Sequence, residues 1–556
     1  MICPHCSKET NDKYIQEGAG QCEHCHRIIE VAFEYKEELQ LPGVGKIISK
    51  FAEEVAEQIK DKQELFYRPD SKEIIEIGKI KHIETDEESY TGFLSIRPNR
   101  FITLIEKHIC PGIYTKKNNG DNGTEWVFKE KSISSELAGT LLASDILQKS
   151  LPQIRRIFTV PLPIMYKGEL TFPCVGYDPR FGSWLPEDAP KLENPEMPLE
   201  EAKEVFKEIF QEFCFQKQQD YYNALAGLIT PFLRGLFSSF STRTPVFFYL
   251  ANRERAGKDY LAGITGIVYE GYALEEAPIC NSDKGSGNNS EELRKKLLSS
   301  FMAGRKRMHF SNNKGYIDNA VFEAITTLEK YSDRILGRTE SAMFDNEIDF
   351  SLSGNVGVGF TPDFANRCRF VHLFLDIENA NERKFSKPNL HQFVMKERPR
   401  IISAMFALVR NWKEKGCPEG TQSFASYSQW AKICGGIMEA AGYGNPATPD
   451  KEVVTVSGDA ETTDMKYLFE LMFENFADEA IEKKAIVNYA VDNELFRFWD
   501  LENNRGDQTK FGNLLIKYIG RVLSDIRMVD TTPMARNSRK KFMFTKGKVE
   551  GDSIEF

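Results

Sequence analysis

Cys3, Cys6, Cys22 and Cys25 form two CxxC pairs, CPHC and CEHC, separated by 15 residues. Each pair sets two thiolates on one tight turn, and two such knuckles complete a tetrahedral Zn²⁺ site with no open position. Such a site is structural. In a segment this short the metal supplies most of the folding energy. The nearby His5, His24 and His26 read as exposed loop residues rather than ligands. A second chemistry lies in LANRERAGKDYLAG, residues 250–263. The apolar run before it, a glycine- and charge-containing loop, and a helical pattern after it form the strand–loop–helix context of a phosphate-binding loop. Lys258 would reach the β- and γ-phosphates of a nucleotide, and the backbone N–H groups of 255–259 with the helix dipole would hold the anion. The binding candidates are Asn252, Arg255, Ala256, Gly257, Lys258, Asp259 and Tyr260. Two positions depart from GxxxxGK[ST]: Asn252 replaces the first glycine, and Asp259 replaces the hydroxyl residue that holds Mg²⁺. A carboxylate also binds Mg²⁺ through oxygen, directly or by water, but it repels phosphate.

Four further pieces follow in order. GRKRMHFSNN is a basic turn and a short apolar strand whose tip would carry an Asp for Mg²⁺; Ser311 and Asn312 stand there instead. YSDRILGRTES carries Arg334 and Arg338. EIDFSLSGN alternates apolar residues up to Asn355. PDFANRCRFVHLFL places Arg367 and Arg369 just before another apolar strand. With the loop, these pieces resemble the AAA+ cores of replicative helicases from phages, plasmids and integrated mobile elements, relatives of superfamily 3 and of poxvirus-type primase–helicases. The passage SLPQIRRIFTVPLPIMYKGELTFPCVGYDPRFGSWL is similar to the family's upstream region. The resemblance implies ATP and Mg²⁺ as cofactors, and a homo-oligomer, a hexameric ring, with ATP between subunits. It makes Lys258 the phosphate lysine and Asn355 the sensor, and places Arg334 in an arginine-bearing segment. Arg367 or Arg369 becomes the finger that stabilises charge on a neighbour's γ-phosphate. Asp318, Glu323 and the pair Glu291/Glu292 stay open as sources of the missing carboxylate.

These residues need elements to position them. A Pro- and Glu-rich passage at 185–200 reads as a linker, and a polar passage at 444–464 separates a helical segment from the C-terminal region. The expected organisation is a zinc ribbon (1–33), a mixed α+β domain (34–195), a P-loop ATPase core with flanking helices (196–450) and a C-terminal module (460–548). The fold class is thus multidomain α/β. The last module reads as three helices followed by two apolar runs around a basic turn, and resembles a winged helix-turn-helix. Lys510, Lys517 and Arg521 would lie on its third helix. Arg536, Arg539, Lys540 and Lys541 would lie at the wing, suited to phosphate contact.

The net charge of −10 argues against a wholly basic coat protein but not against DNA, which needs only a local basic surface. No apolar run approaches the roughly 20 residues of a membrane helix, and the N-terminus lacks a basic stretch followed by an apolar one. The expectation is a cytoplasmic protein with no membrane partner. Of 11 cysteines, those outside the two pairs are scattered, which favours metal over disulfides. The resemblance implies an ATP-dependent DNA helicase in replication of a phage or mobile element, acting on single-stranded and forked or origin duplex DNA. The alternative is an ATP-binding but hydrolytically impaired DNA-binding initiator or scaffold, favoured by the missing carboxylate. A primase–helicase ranks lower, because 34–195 shows no paired carboxylates for nucleotidyl transfer.

Overall fold

The computed structural model describes residues 15–16, 19–21, 28–30, 36–43, 45–81, 89–118, 124–253, 255–279, 289–314, 316–317, 319–335, 340–355, 358–375, 385–449, 460–493, 495–496, 499–520, 522–523, 526–533 and 539–546. The chain is a multidomain α/β protein with several mixed sheets. Its first described elements are β1 (Ile15–Gln16), β2 (Ala19–Gln21) and β3 (Ile28–Glu30), a small antiparallel sheet in the order β1-β2-β3. Cys3, Cys6, Cys22 and Cys25 lie outside the described residues. In sequence, Cys22 and Cys25 fall between the paired strands β2 and β3. Among the described residues no group of three or more His, Cys, Asp or Glu is placed to hold a metal ion. No described helix is long and apolar enough to cross a membrane.

The next unit opens with β4 (Glu37–Gln40) and α1 (Ile48–Ile59). Phe51, Ala52, Val55, Ala56 and Ile59 recur at helical spacing and are buried against Phe101, Leu104, Leu141 and Leu147. Two three-stranded sheets flank this core, β4-β8-β9 and β5-β6-β7, from β5 (Phe66–Arg68), β6 (Glu73–Lys81), β7 (Ser89–Ser95), β8 (Ile109–Asn118) and β9 (Thr124–Glu130).

The passage at 185–200 is docked rather than free. Arg410 donates to the carbonyls of Pro195 and Met197, and Asn194 N–H donates to Ser403 Oγ at 2.9 Å. Met197 is buried, so Pro and Glu composition here marks irregular backbone satisfied by neighbouring side chains, not a tether. It leads into α2 (Leu199–Phe210) and α3 (Gln218–Ile229).

The central sheet is built from β10 (Val246–Ala251), β11 (Arg307–Asn313), β14 (Asp349–Asn355) and β15 (Cys368–Leu373). Between β11 and β14 lies a hairpin of β12 (Lys330–Arg334) and β13 (Ser341–Asp345). The order is β11-β14-β10-β15, all parallel. β10 is buried throughout, as VFFYLA requires when both faces are covered. Phe247, Tyr249 and Ala251 face one core, shared with α4 (Lys258–Glu270), and with Ile401, Met405 and Leu408 of a long helix. Val246, Phe248 and Leu250 face a second core with Leu297 and Phe301 of α5 (Asn289–Ala303). Parallel strands present their carboxyl ends at one edge, where open α/β sheets bind ligands. Ala251, Asn313 and Asn355 all end there.

Buried charge joins the upstream unit to this core. Arg156 pairs with Glu347 at 2.9 Å, and Lys306 pairs with the same carboxylate. Arg68 donates to the carbonyls of Phe301 and Met302 and lies over the rings of Phe93 and Phe344. Arg234 pairs with Asp349 at 2.6 Å and donates to the Thr242 carbonyl.

The C-terminal unit runs α6 (Ala460–Phe476), β16 (Ile481–Glu482), α7 (Lys483–Asp492), α8 (Arg505–Tyr518), then β17 (Val522–Leu523), β18 (Ile526–Asp530) and β19 (Lys541–Lys546). Its sheet is antiparallel in the order β16-β19-β18-β17. Phe469, Ile486, Phe511, Leu515, Phe542 and Phe544 fill one core between helices and sheet.

Candidate nucleotide site

The loop from β10 to α4 turns on two left-handed residues, Arg255 at φ 63° and Gly257 at φ 95°. Gly257 is the helix N-cap, and a Cβ there would also meet the Phe213 ring at 3.5 Å. Left-handed residues before a helix gather backbone N–H groups into an anion-binding concavity, and the first turn of α4 adds its unpaired N–H groups. Asn252, at the missing glycine, clips the loop to the chain after β15. Its Nδ2 donates to the Leu375 carbonyl at 3.2 Å, and its Oδ1 accepts from Leu375 N–H at 2.9 Å. An amide thus fixes the loop's entry where a glycine would only allow it to bend. Ala256 is buried and Arg255 exposed.

Lys258 and Asp259 form an ion pair, Nζ to Oδ2 at 2.8 Å, with side chains 13% and 35% exposed. The other Asp259 oxygen, Oδ1, accepts from Ser353 Oγ. Ser353 Oγ in turn accepts from Asn312 N–H at 3.3 Å. One carboxylate therefore ties the loop helix to β14, and through it to the tip of β11. Asn355 closes β14 directly opposite Ala251, and its Oδ1 is buried with no hydrogen-bond partner among the described residues. Buried polar atoms are normally satisfied, so this acceptor is available to a water or a ligand.

The β11 tip carries no carboxylate. Ser311 N–H donates to the Glu276 carbonyl, Asn312 is left-handed and exposed, and Asn313 closes a bulge. The Asn313 amide donates to the carbonyls of Phe310 and Ser353 and accepts from Ile279 N–H. The other carboxylate candidates are engaged or undescribed. Glu323 accepts from Thr361 Oγ1, Glu291 and Glu292 pair with Lys295, and Asp318 lies outside the described residues.

His309, under α4, is 1% exposed. Its Nδ1 is 2.9 Å from Ser351 Oγ, while Nε2 has no partner among the described residues. Burial first, and the Arg307 charge after it, push its pKa down to about 3, so the ring is neutral. His372 is a satisfied histidine, with Nδ1 3.0 Å from Asp220 Oδ1. Tyr260 stacks on His391 at 3.6 Å and 5°, and its carbonyl lies 2.8 Å from His391 Nε2.

The arginines lie elsewhere. Arg367 sits just before β15, level with the start of β10, because Val246 N–H donates to its carbonyl. The six residues of β15 span about 20 Å, so Arg367 is at the edge of the sheet opposite its own loop. Its guanidinium donates to the Glu323 carbonyl and the Asp363 carboxylate. Arg369 is buried, with its guanidinium 3.6 Å from the Phe424 ring centroid and donating to the Thr448 carbonyl at 3.4 Å. Arg334 ends β12 on the hairpin, exposed opposite Ser341; Arg338 lies outside the described residues. The structure therefore gathers Asn252, Lys258, Asp259 and Asn355 at one edge and holds Arg367, Arg369 and Arg334 apart from them. Sequence reading missed Ser353, His391 and Phe213. Only Ser353 carried a signal: two residues before Asn355, it must share that residue's face of the strand.

No protein-family model and no curated protein matches the chain. Solved structures overlap most of it loosely. The A-form apo structure of the NrS-1 C-terminal region has a TM-score of 0.36 and 9% identity, covering 89% of this chain and 98% of that one. SCCmec type IV Cch, described as an active helicase, has a TM-score of 0.34 and 9% identity, covering 86% and 92%. Overlaps this loose do not assign a function.

Proposed function

We propose that the chain is an ATP-driven DNA helicase of the AAA+ type, assembled as a ring in which ATP sits on the 252–259 loop of one subunit. The observation that carries this reading is the division of the site. Lys258, the left-handed Gly257 and Asn355 meet at the carboxyl edge of the sheet, and Arg367 lies about 20 Å away at the other edge. An arginine so placed cannot serve its own loop, and a closed ring of head-to-tail copies would bring it to a neighbour's. A hexamer is the ring the family resemblance implies, with replication of a phage or mobile element as its setting. Lys258 would leave Asp259 to neutralise the β- and γ-phosphates. Asn355 would orient the reacting water or the γ-phosphate through its amide, and Arg367 would stabilise charge developing in the transition state.

Two terminal modules would hold DNA. The paired strands on either side of the second CxxC support a zinc ribbon at 1–33, with Zn²⁺ on Cys3, Cys6, Cys22 and Cys25. Helix, strand, two helices and a hairpin in the C-terminal unit support a winged helix-turn-helix. Lys510 there pairs with Asp507, Arg539 with Glu482 and Lys540 with Asp530, all at the surface. Surface pairs are weak, so phosphates can replace the carboxylates. The double variant Lys510→Glu/Lys517→Glu is expected to weaken DNA binding and to reduce the slope of log affinity against log salt by about 2, which fluorescence anisotropy measures. An unchanged slope would place the DNA contact on another surface.

The lack of a carboxylate at Ser311 and Asn312 favours a second reading, an ATP-binding initiator or scaffold that does not hydrolyse. Turnover with and without single-stranded DNA, together with separation of a forked duplex, decides between the two. DNA-stimulated hydrolysis and strand separation support the helicase. Nucleotide-dependent ring formation with no turnover would establish the scaffold.

A further inference from the structure

Asp259 is the residue least at home in a phosphate loop, and four observations bear on what it does there. Its carboxylate occupies the first turn of α4, where incoming phosphates would sit, and it already engages Lys258 at 2.8 Å. The β11 tip, where a metal-holding carboxylate is expected, offers only Ser311, Asn312 and an Asn313 amide bound into the sheet. Ser353 Oγ donates to Asp259 Oδ1, and Asn355, on the same face of β14, has a buried Oδ1 without a partner. The His309 Nε2 is likewise buried and without a partner among the described residues, and the ring lies close enough to Lys258 and Asp259 to feel both charges.

A nucleotide without metal meets a poor site here. It faces a carboxylate at the mouth of the helix and a lysine whose charge that carboxylate already uses. A divalent cation reverses both effects, because the carboxylate becomes a ligand and the lysine is released to the phosphates. The donors fit such an ion. Asp259, the Ser353 hydroxyl and the Asn355 carbonyl are hard oxygens, the set that suits Mg²⁺ or Mn²⁺. Mg²⁺ is usually held by one or two carboxylates together with substrate phosphates and waters, so no larger protein cage is needed.

We propose that the metal-holding carboxylate of this site has moved from the end of β11 to the start of α4: Asp259, with the Ser353 hydroxyl, takes the divalent cation that accompanies the nucleotide, and binding of the nucleotide depends on that cation. This rests on the reading of 252–259 as a nucleotide loop.

The test titrates a fluorescent ATP analogue into the full chain with excess Mg²⁺ and with EDTA, for the wild type, Asp259→Ser and Ser353→Ala. Wild type should bind at least about tenfold more weakly in EDTA, the equivalent of about 1.4 kcal/mol. Asp259→Ser removes the repulsion and should bind in EDTA about tenfold more tightly than wild type does there. Ser353→Ala should keep the repulsion and lose part of the metal gain. The electron paramagnetic resonance signal of Mn²⁺ with the analogue should show a protein-bound ion in wild type that Asp259→Asn loses. Equal wild-type affinity with and without metal overturns the inference and leaves the nucleotide site standing. A bound-ion signal unchanged in Asp259→Asn overturns it as well. Binding of no nucleotide in either condition overturns the loop reading itself.

Discussion

Glu347→Ala is expected to lower the unfolding free energy of the core by about 3–5 kcal/mol. Glu347 is buried and holds two cations from different parts of the chain, Arg156 from the upstream unit and Lys306 between α5 and β11. The Arg156 guanidinium also lies 4.2 Å from the Phe240 ring centroid and donates to the Phe181 carbonyl, which keeps it buried. Deleting the carboxylate strands a buried guanidinium and a half-buried ammonium. Breaking one side of a buried pair costs far more than replacing both sides by apolar groups. The double variant Arg156→Met/Glu347→Leu should therefore be more stable than Glu347→Ala, because it strands only the half-buried Lys306. Urea unfolding measures all three proteins.

The same carboxylate sets a pH dependence. Burial pushes the Glu347 pKa up, but Arg156 and Lys306 pull it down further, to about 2. Unfolded, it titrates near the ordinary value of about 4.3. A group depressed in the folded state stabilises above its unfolded pKa, and that stability is lost as pH falls from about 5 toward 2. The urea midpoint of Glu347→Gln should vary less with pH in this window than that of wild type. Parallel curves would show that the carboxylate does not carry the acid sensitivity.

Lys258→Ala is expected to cut ATP turnover by about 10²–10³, the usual loss when one charge-stabilising donor is removed from a preorganised site. Lys258 follows the left-handed Gly257 at the point where α4 begins, and its partner Asp259 keeps the Ser353 contact when the ammonium is gone. The fold should therefore persist, and the thermal midpoint should stay close to that of wild type. Loss of turnover with an unchanged midpoint identifies a chemical role. A large drop in midpoint would make the lysine a structural partner of Asp259.

The fold of the core was legible where the local pattern is strong. TPVFFYLA reads as an apolar strand, and it is one. EIDFSLSGN alternates to Asn355, which the structure sets at the end of β14. What could not be read depends on which strands become neighbours. Ser353 and Asp259 are 94 residues apart, and their contact exists because β14 lies beside β10. Arg156 and Glu347 are 191 residues apart and meet because the upstream unit docks on the core. The sequence put Arg367 forward as the finger, with Arg369 as its alternative. Packing separates them, since Arg369 is taken into the interior beside Phe424 while Arg367 stays at the sheet edge. The 185–200 passage looked like a tether because its composition is that of irregular backbone, and composition does not reveal that Arg410 and Ser403 satisfy it.

The claim that a nucleotide occupies the 252–259 loop is tested most directly by amide hydrogen exchange along the chain, with and without ATP and Mg²⁺. Binding there predicts slowed exchange in the first turn of α4 and its preceding loop and at the end of β14 around Asn355, with the effect absent in Lys258→Ala. Protection confined to other segments, or equal in wild type and Lys258→Ala, would contradict it.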